Sequence, residues 1–193
     1  YVSDSQDCDD STSSYALNCP PSISEVQITP AAPTVADDLA CSAAATDADG
    51  DSINISYVWS VEGSIVAYSD SLAGGAAAYE QEAECCVTPN DGVLTGDALC
   101  SSVQIGNSLP RVVELSFSSE TVYTNDLLVA NATLEDADGH SVGLEYAWWV
   151  NGSQVQIGEE NELDGSLFFD KGDTITLVAT PDDGIDTGEA IES

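Results

Sequence analysis

The residues best suited to chemistry are carboxylates gathered in two short loops. In Asp47-Ala48-Asp49-Gly50-Asp51, three acidic side chains alternate around a glycine that permits a tight turn. Such a loop supplies the oxygen ligands wanted by calcium, a hard cation that takes about six to eight of them. Asp136-Ala137-Asp138-Gly139 repeats the arrangement, with His140 standing where the first loop has Asp51. The spacing is too short for an EF-hand loop, and the glutamate that closes such a loop is absent. Asp91 and Asp183, in later turns, join Asp47, Asp49, Asp51, Asp136 and Asp138 as candidate calcium ligands. The competing reading needs no ion, because aspartates in turns accept hydrogen bonds from nearby backbone amides. His140 reads as a solvated loop residue rather than a ligand.

The loops recur because the chain repeats itself. Sliding the sequence by 89 positions lays Pro21 on Pro110, Glu25 on Glu114, Asp37 on Asp126, Tyr57 on Tyr146 and Trp59 on Trp148. After a three-residue insertion the match resumes at 92 positions, with Thr88-Pro89-Asn90-Asp91-Gly92 on Thr180-Pro181-Asp182-Asp183-Gly184. A duplication of this period predicts two copies of one small domain, at residues 21–107 and 108–193, after an N-terminal extension over residues 1–20. In a two-layer domain of this kind, the Asp47 and Asp136 loops lie at the same end as the loops holding Asp91 and Asp183.

Period-two alternation dominates both copies. Leu39-Cys41-Ala43-Ala45, Ile53-Ile55-Tyr57-Trp59-Val61 and Ile175-Leu177-Ala179 each place small or apolar side chains on one face. Between Ile23 and Thr29, strict alternation sets Ile23 with Glu25, Gln27 and Thr29, against Ser24, Val26 and Ile28. No window carries a helical stripe, so the fold class is all-β. Parity also orders the cysteines. Ala130 and Leu177 face inward and correspond to Cys41 and Cys85, which predicts a core bridge beside Trp59. Cys86 then points outward, and a hairpin centred near Val93 sets it opposite Cys100. Cys8 and Cys19 remain to close the N-terminal extension. Because Cys85 and Cys86 are adjacent, the swapped pairing stays open.

Thirty-five acidic residues against two basic ones, Arg111 and Lys171, give a formal charge of −33. Such a chain repels nucleic-acid phosphates and anionic membrane surfaces. No stretch approaches the roughly 20 apolar residues of a membrane span. Six cysteines with one histidine suit disulfides better than a thiolate metal site, which implies an oxidising compartment outside the cell. The start at Tyr1 reads as a processed chain.

The string from Pro20 to Val61, with its opening prolines, Ile28-Thr29-Pro30 turn, Asp37-Asp38 pair, Asp-Ala-Asp-Gly-Asp loop and Trp59 strand, resembles the tandem immunoglobulin-like (PKD- and cadherin-like) repeats of bacterial and archaeal secreted or surface proteins. The resemblance covers about residues 20–193 and implies two tandem β-sandwiches. It says less of function, since such modules serve as spacers, stalks, adhesins and polymer subunits. By analogy with cadherin-like arrays, an ion shared between the second Asp cluster and Asp37/Asp38 would stiffen the linker near Asn107-Ser108-Leu109-Pro110.

Three Asn-x-Ser/Thr sequons, at Asn54, Asn131 and Asn151, are candidate glycosylation sites. Trp149 faces outward by parity, where Ser60 stands in the first copy, and is a candidate contact for a glycan or protein partner. The strand ending at Ser193 is shorter than its counterpart Ala98–Ile105, which leaves a sheet edge open to strand addition and head-to-tail self-association. A nucleophile motif and a phosphate loop are lacking, so the expected function is non-enzymatic: a subunit of an extracellular filament or cell-surface stalk. The alternative is a monomeric adhesin or carbohydrate-binding spacer.

Overall fold

The computed structural model describes residues 18–193, which divide into two compact units meeting between Gly106 and Asn107. Cys8, and with it the expected bridge to Cys19 and most of the N-terminal extension, lies outside the described residues.

The first unit contains β1 (Ser22–Thr29), β2 (Leu39–Thr46), β3 (Asn54–Val61), β4 (Ser64–Ala67), β5 (Ser71–Leu72), β6 (Glu82–Asn90) and β7 (Leu99–Gln104). They form a three-stranded layer, β1-β2-β5, and a four-stranded layer, β4-β3-β6-β7, with antiparallel pairing throughout. The second unit repeats this with β8 (Arg111–Phe117), β9 (Leu127–Glu135), β10 (Gly143–Val150), β11 (Ser153–Gly158), β12 (Glu162–Asp164), β13 (Ile175–Asp182) and β14 (Ile191–Glu192). Its layers are β12-β9-β8 and β11-β10-β13-β14. A single helical turn, α1 (Gly165–Phe168), follows β12 and is capped by Asp164. Each unit is an immunoglobulin-like β-sandwich.

Alternation builds the cores. Ile28, Leu39, Cys41 and Leu72 from one layer meet Trp59, Val61, Ala83, Cys85 and Val87 from the other. In the second unit Leu128, Ala130 and Leu163 meet Tyr146, Trp148, Val150, Leu177 and Ala179. Trp59 and Trp148 are fully buried. Cys41 is bonded to Cys85 across the layers, with Cα atoms 6.5 Å apart. Cys86 is bonded to Cys100, its register partner on β7, with Cα atoms 4.0 Å apart. The second unit fills the place of the core bridge with Ala130 and Leu177, and Phe117 stacks on Trp148 at a centroid distance of 5.9 Å.

Strict alternation fails in β1. A bulge between Ile23 and Glu25 resets the phase, so Ile23 turns inward with Val26 and Ile28 rather than outward with Glu25. The same irregularity recurs between Val112 and Glu114, and Val112 is buried. One extra residue in a strand moves every side chain beyond it to the other face.

The chain enters and leaves the first unit at opposite ends. Pro21, immediately before β1, lies against Gly96 in the β6–β7 connection. At the far end the Gly106 N–H donates to Pro33 O at 2.7 Å and Gly106 bridges Thr34, in the β1–β2 connection. Eight residues of β1 separate the two ends, roughly 25 Å of strand.

Candidate functional site

Both acidic loops join the second and third strands of their unit, and both close by the same turn. Asp47 Oδ1 accepts the N–H groups of Asp49 and Asp51 at 2.9 and 3.1 Å. Asp136 Oδ1 accepts those of Asp138 and His140 at 2.9 and 3.0 Å. Gly50 and Gly139 have φ of 81° and 78°, a left-handed backbone that disfavours a side chain.

The second carboxylate of each loop reaches back to the segment that precedes the first strand. Asp49 Oδ2 accepts the Cys19 N–H at 2.6 Å, and Asp138 Oδ2 accepts the Ser108 N–H at 2.5 Å. The third position is clamped too, through the β6–β7 and β13–β14 turns. Asn18 Nδ2 donates to Asp91 Oδ2 at 2.9 Å, while Asn107 Nδ2 donates to Asp183 Oδ2 at 2.8 Å and to Asp186 Oδ2 at 3.1 Å. Asp91 also takes the N–H groups of Val93 and Leu94, and Asp183 those of Ile185 and Asp186. The Leu94 N–H and then the Val93 N–H hold the Asp91 carboxyl below the usual carboxylate range. The Asp186 N–H does the same for Asp183.

Sequence reasoning missed this lead-in clamp, although a signal existed. Asn18-Cys19 precedes Pro21 as Asn107-Ser108 precedes Pro110, so the repeat begins three residues ahead of the prolines. Close packing at the same end explains two further residues. A Cβ on Gly96 would lie 1.8 Å from Pro21 O, and one on Gly188 would lie 1.9 Å from Pro110 O.

The candidate metal ligands do not all converge. In the first unit Asp47, Asp49 and Asp51 each bring an oxygen within 4.8 Å of the others. Asp91 is not in that group. Asp47 Oδ2 and Asp49 Oδ1 are buried without a hydrogen-bond partner, so the loop offers unsatisfied acceptor oxygens of the kind a hard cation would take. In the second unit the converging group is Asp136, His140 and Asp183, again within 4.8 Å. Asp138 is absent from it; its Oδ1 takes the Ser108 hydroxyl at 3.0 Å and its Oδ2 the Ser108 N–H. Asp37 accepts from Thr34, and Asp38 accepts the Gly74 N–H, all within the first unit.

The remaining candidates are spread over the surface. Asn54, Asn131 and Asn151 are all exposed. Asn151 is also a turn residue with φ of 50°. Its Nδ2 donates to Asp173 Oδ1 at 2.7 Å and its Oδ1 accepts the Thr174 N–H at 3.1 Å. Trp149 is half-buried and lines an open groove of about 300 Å³ with Gly152, Thr176, Val178 and Glu192. Among the described residues no helix is long and apolar enough to cross a membrane.

No family model and no curated protein matches the chain. Among solved structures, it is similar to the three N-terminal domains of the bacteriophage RB49 highly immunogenic outer capsid protein, Hoc, at 16% identity and a TM-score of 0.36. That match covers 89% of this chain and 66% of the Hoc structure, so the chain spans about two thirds of it. It is also similar to the fibronectin(III)-like modules of Clostridium thermocellum CbhA, at 14% identity and a TM-score of 0.28, over 87% of this chain and 91% of that one.

Proposed function

We propose that this chain is a non-enzymatic structural subunit of an extracellular filament or cell-surface stalk, built from PKD- and cadherin-like repeats. The observation that carries the reading is the path of the chain through the first unit. It enters at one end, under the Asn18–Asp91 and Cys19–Asp49 clamps, and leaves at the other, under the Gly106–Pro33 bond. A load carried along the chain therefore runs lengthwise through paired strands, the direction in which many backbone hydrogen bonds share it. Two bridges reinforce that unit.

Head-to-tail self-association is the assembly that goes with such a path. Calcium at Asp47, Asp49 and Asp51 would offset part of the acidic repulsion at the loop end. Glycans on the exposed Asn54 and Asn131 would add a hydrated coat.

Electron microscopy of the native material, with calcium and with a chelator, tests the proposal. The expected result is filaments with a repeat near the length of two sandwiches, shortened or dispersed by chelation. Separate particles under both conditions would overturn the polymer reading.

A further inference from the structure

We infer that the two acidic loops have diverged in metal class, and that the second unit binds a divalent ion of the zinc and nickel type through Asp136, His140 and Asp183. This inference is independent of the filament reading.

The Asp136 side chain is only 2% exposed, and its Oδ2 has no hydrogen-bond partner. A carboxylate oxygen buried in that state is costly unless a cation or donor meets it. Asn107 Oδ1, on the amide that clamps Asp183 and Asp186, is likewise buried without a partner. Four carboxylates, Asp136, Asp138, Asp183 and Asp186, belong to this end of the unit. Arg111, one of the chain's two basic residues, is paired with Glu135 instead. The site therefore combines excess negative charge with unmet acceptor atoms.

Two substitutions between the copies decide which ion fits. Ser108 replaces Cys19, and its hydroxyl takes the Asp138 oxygen whose counterpart, Asp49 Oδ1, is unsatisfied in the first unit. The second loop thus has one unmet carboxylate oxygen, Asp136 Oδ2, where the first has two, Asp47 Oδ2 and Asp49 Oδ1. His140 replaces Asp51, which brings an imidazole with Nδ1 4.0 Å from Asp136 Oδ1 and within the same 4.8 Å group as Asp183, a buried carboxylate. Imidazole is a poor ligand for calcium and a good one for zinc, nickel and copper, and one nitrogen with two carboxylates is a familiar set for such ions. The first loop keeps an all-oxygen set suited to calcium.

His140 is the chain's only histidine, so its imidazole is a unique reporter. Zn²⁺ is titrated into the full chain in the presence of excess Ca²⁺, which occupies the acidic surface, and the imidazole ¹⁵N–¹H signals are followed by NMR. The expected result is a saturable shift at one equivalent of Zn²⁺, with no shift from Ca²⁺ alone. Asp136→Asn is expected to weaken Zn²⁺ binding at least tenfold and Asp51→Asn to leave it unchanged. Should Asp136→Asn fail to fold, His140→Gln decides, because residue 140 joins the turn through its backbone N–H, which glutamine keeps. His140→Gln is expected to abolish the one-equivalent Zn²⁺ binding measured by calorimetry under the same calcium excess. Imidazole signals that ignore Zn²⁺, respond equally to Ca²⁺, or a His140→Gln chain that binds Zn²⁺ undiminished would overturn the inference.

Discussion

Asp138 holds Ser108 by two hydrogen bonds, taking its backbone N–H at 2.5 Å and its hydroxyl at 3.0 Å. Asp49 Oδ2 takes the Cys19 backbone N–H at 2.6 Å. The residues of the acidic loops are thus part of the way each sandwich grips the segment that enters it.

Breaking that grip destabilises the second unit. Asp138→Ala leaves the Ser108 N–H and hydroxyl, on a buried residue, without their partner, which costs about 1–3 kcal/mol. Ser108→Ala removes the hydroxyl bond alone and costs about 1 kcal/mol. Urea unfolding followed by tryptophan fluorescence checks the order, Asp138→Ala larger than Ser108→Ala.

The glycine contacts at the same end are stricter. Gly96→Ala and Gly188→Ala each force a methyl onto a proline carbonyl, and each is expected to cost about 2–3 kcal/mol or more. Gly106→Ala, where the nearest atom to the new carbon is Pro33 O at 3.4 Å, stays within about 0.5 kcal/mol of the parent. Thermal unfolding of the three variants separates these outcomes.

Reduction acts on the first unit far more than on the second. The Cys41–Cys85 and Cys86–Cys100 bridges span 44 and 14 residues, and loop entropy assigns them about 4 and about 3 kcal/mol. Replacing the core bridge with Cys41→Ala and Cys85→Leu, the pair the second unit uses, is expected to preserve the fold at lower stability. Circular dichroism with and without a reductant is the measurement, and an equal response of both units would contradict it.

Acid has two opposed effects. As pH falls below about 5, where ordinary carboxylates begin to take up protons, neutralising part of the acidic surface relieves self-repulsion and raises the melting temperature, more at low salt than at high salt. The carboxyls of Asp37, Asp91 and Asp173 are held low chiefly by the N–H groups of Thr34, Leu94 and Asp170. A folded value below the unfolded one, about 3.9, gives stability that is present above it and lost as pH falls through the folded value. Calorimetry is expected to show the melting temperature turning downward below about pH 4.

Much of this architecture was legible in the residues. The alternation around Trp59 and Trp148 gave the inward faces, and the symmetry of Cys86 and Cys100 about Val93 matches the observed register. The β1 bulge was not legible, because Ser24 is compatible with either phase and only the pairing against Ala44 and Ala45 selects one. Short strands such as β5 and β12 escaped notice, since two or three residues carry no periodicity. At the acidic loops the turns were visible from spacing, but the partners of Asp49 and Asp138 lie 30 residues away in sequence and emerge only when the layers close.

The bridges also set how far each unit can lengthen once it yields. In the first unit the two loops, 44 and 14 residues long, are short-circuited, so residues 18–106 release only about 100 Å of contour. The second unit, in which every residue from 107 to 193 lies outside those loops, releases about 300 Å. One repeat is a stiff link with a short tether, and the other is a long, extensible one.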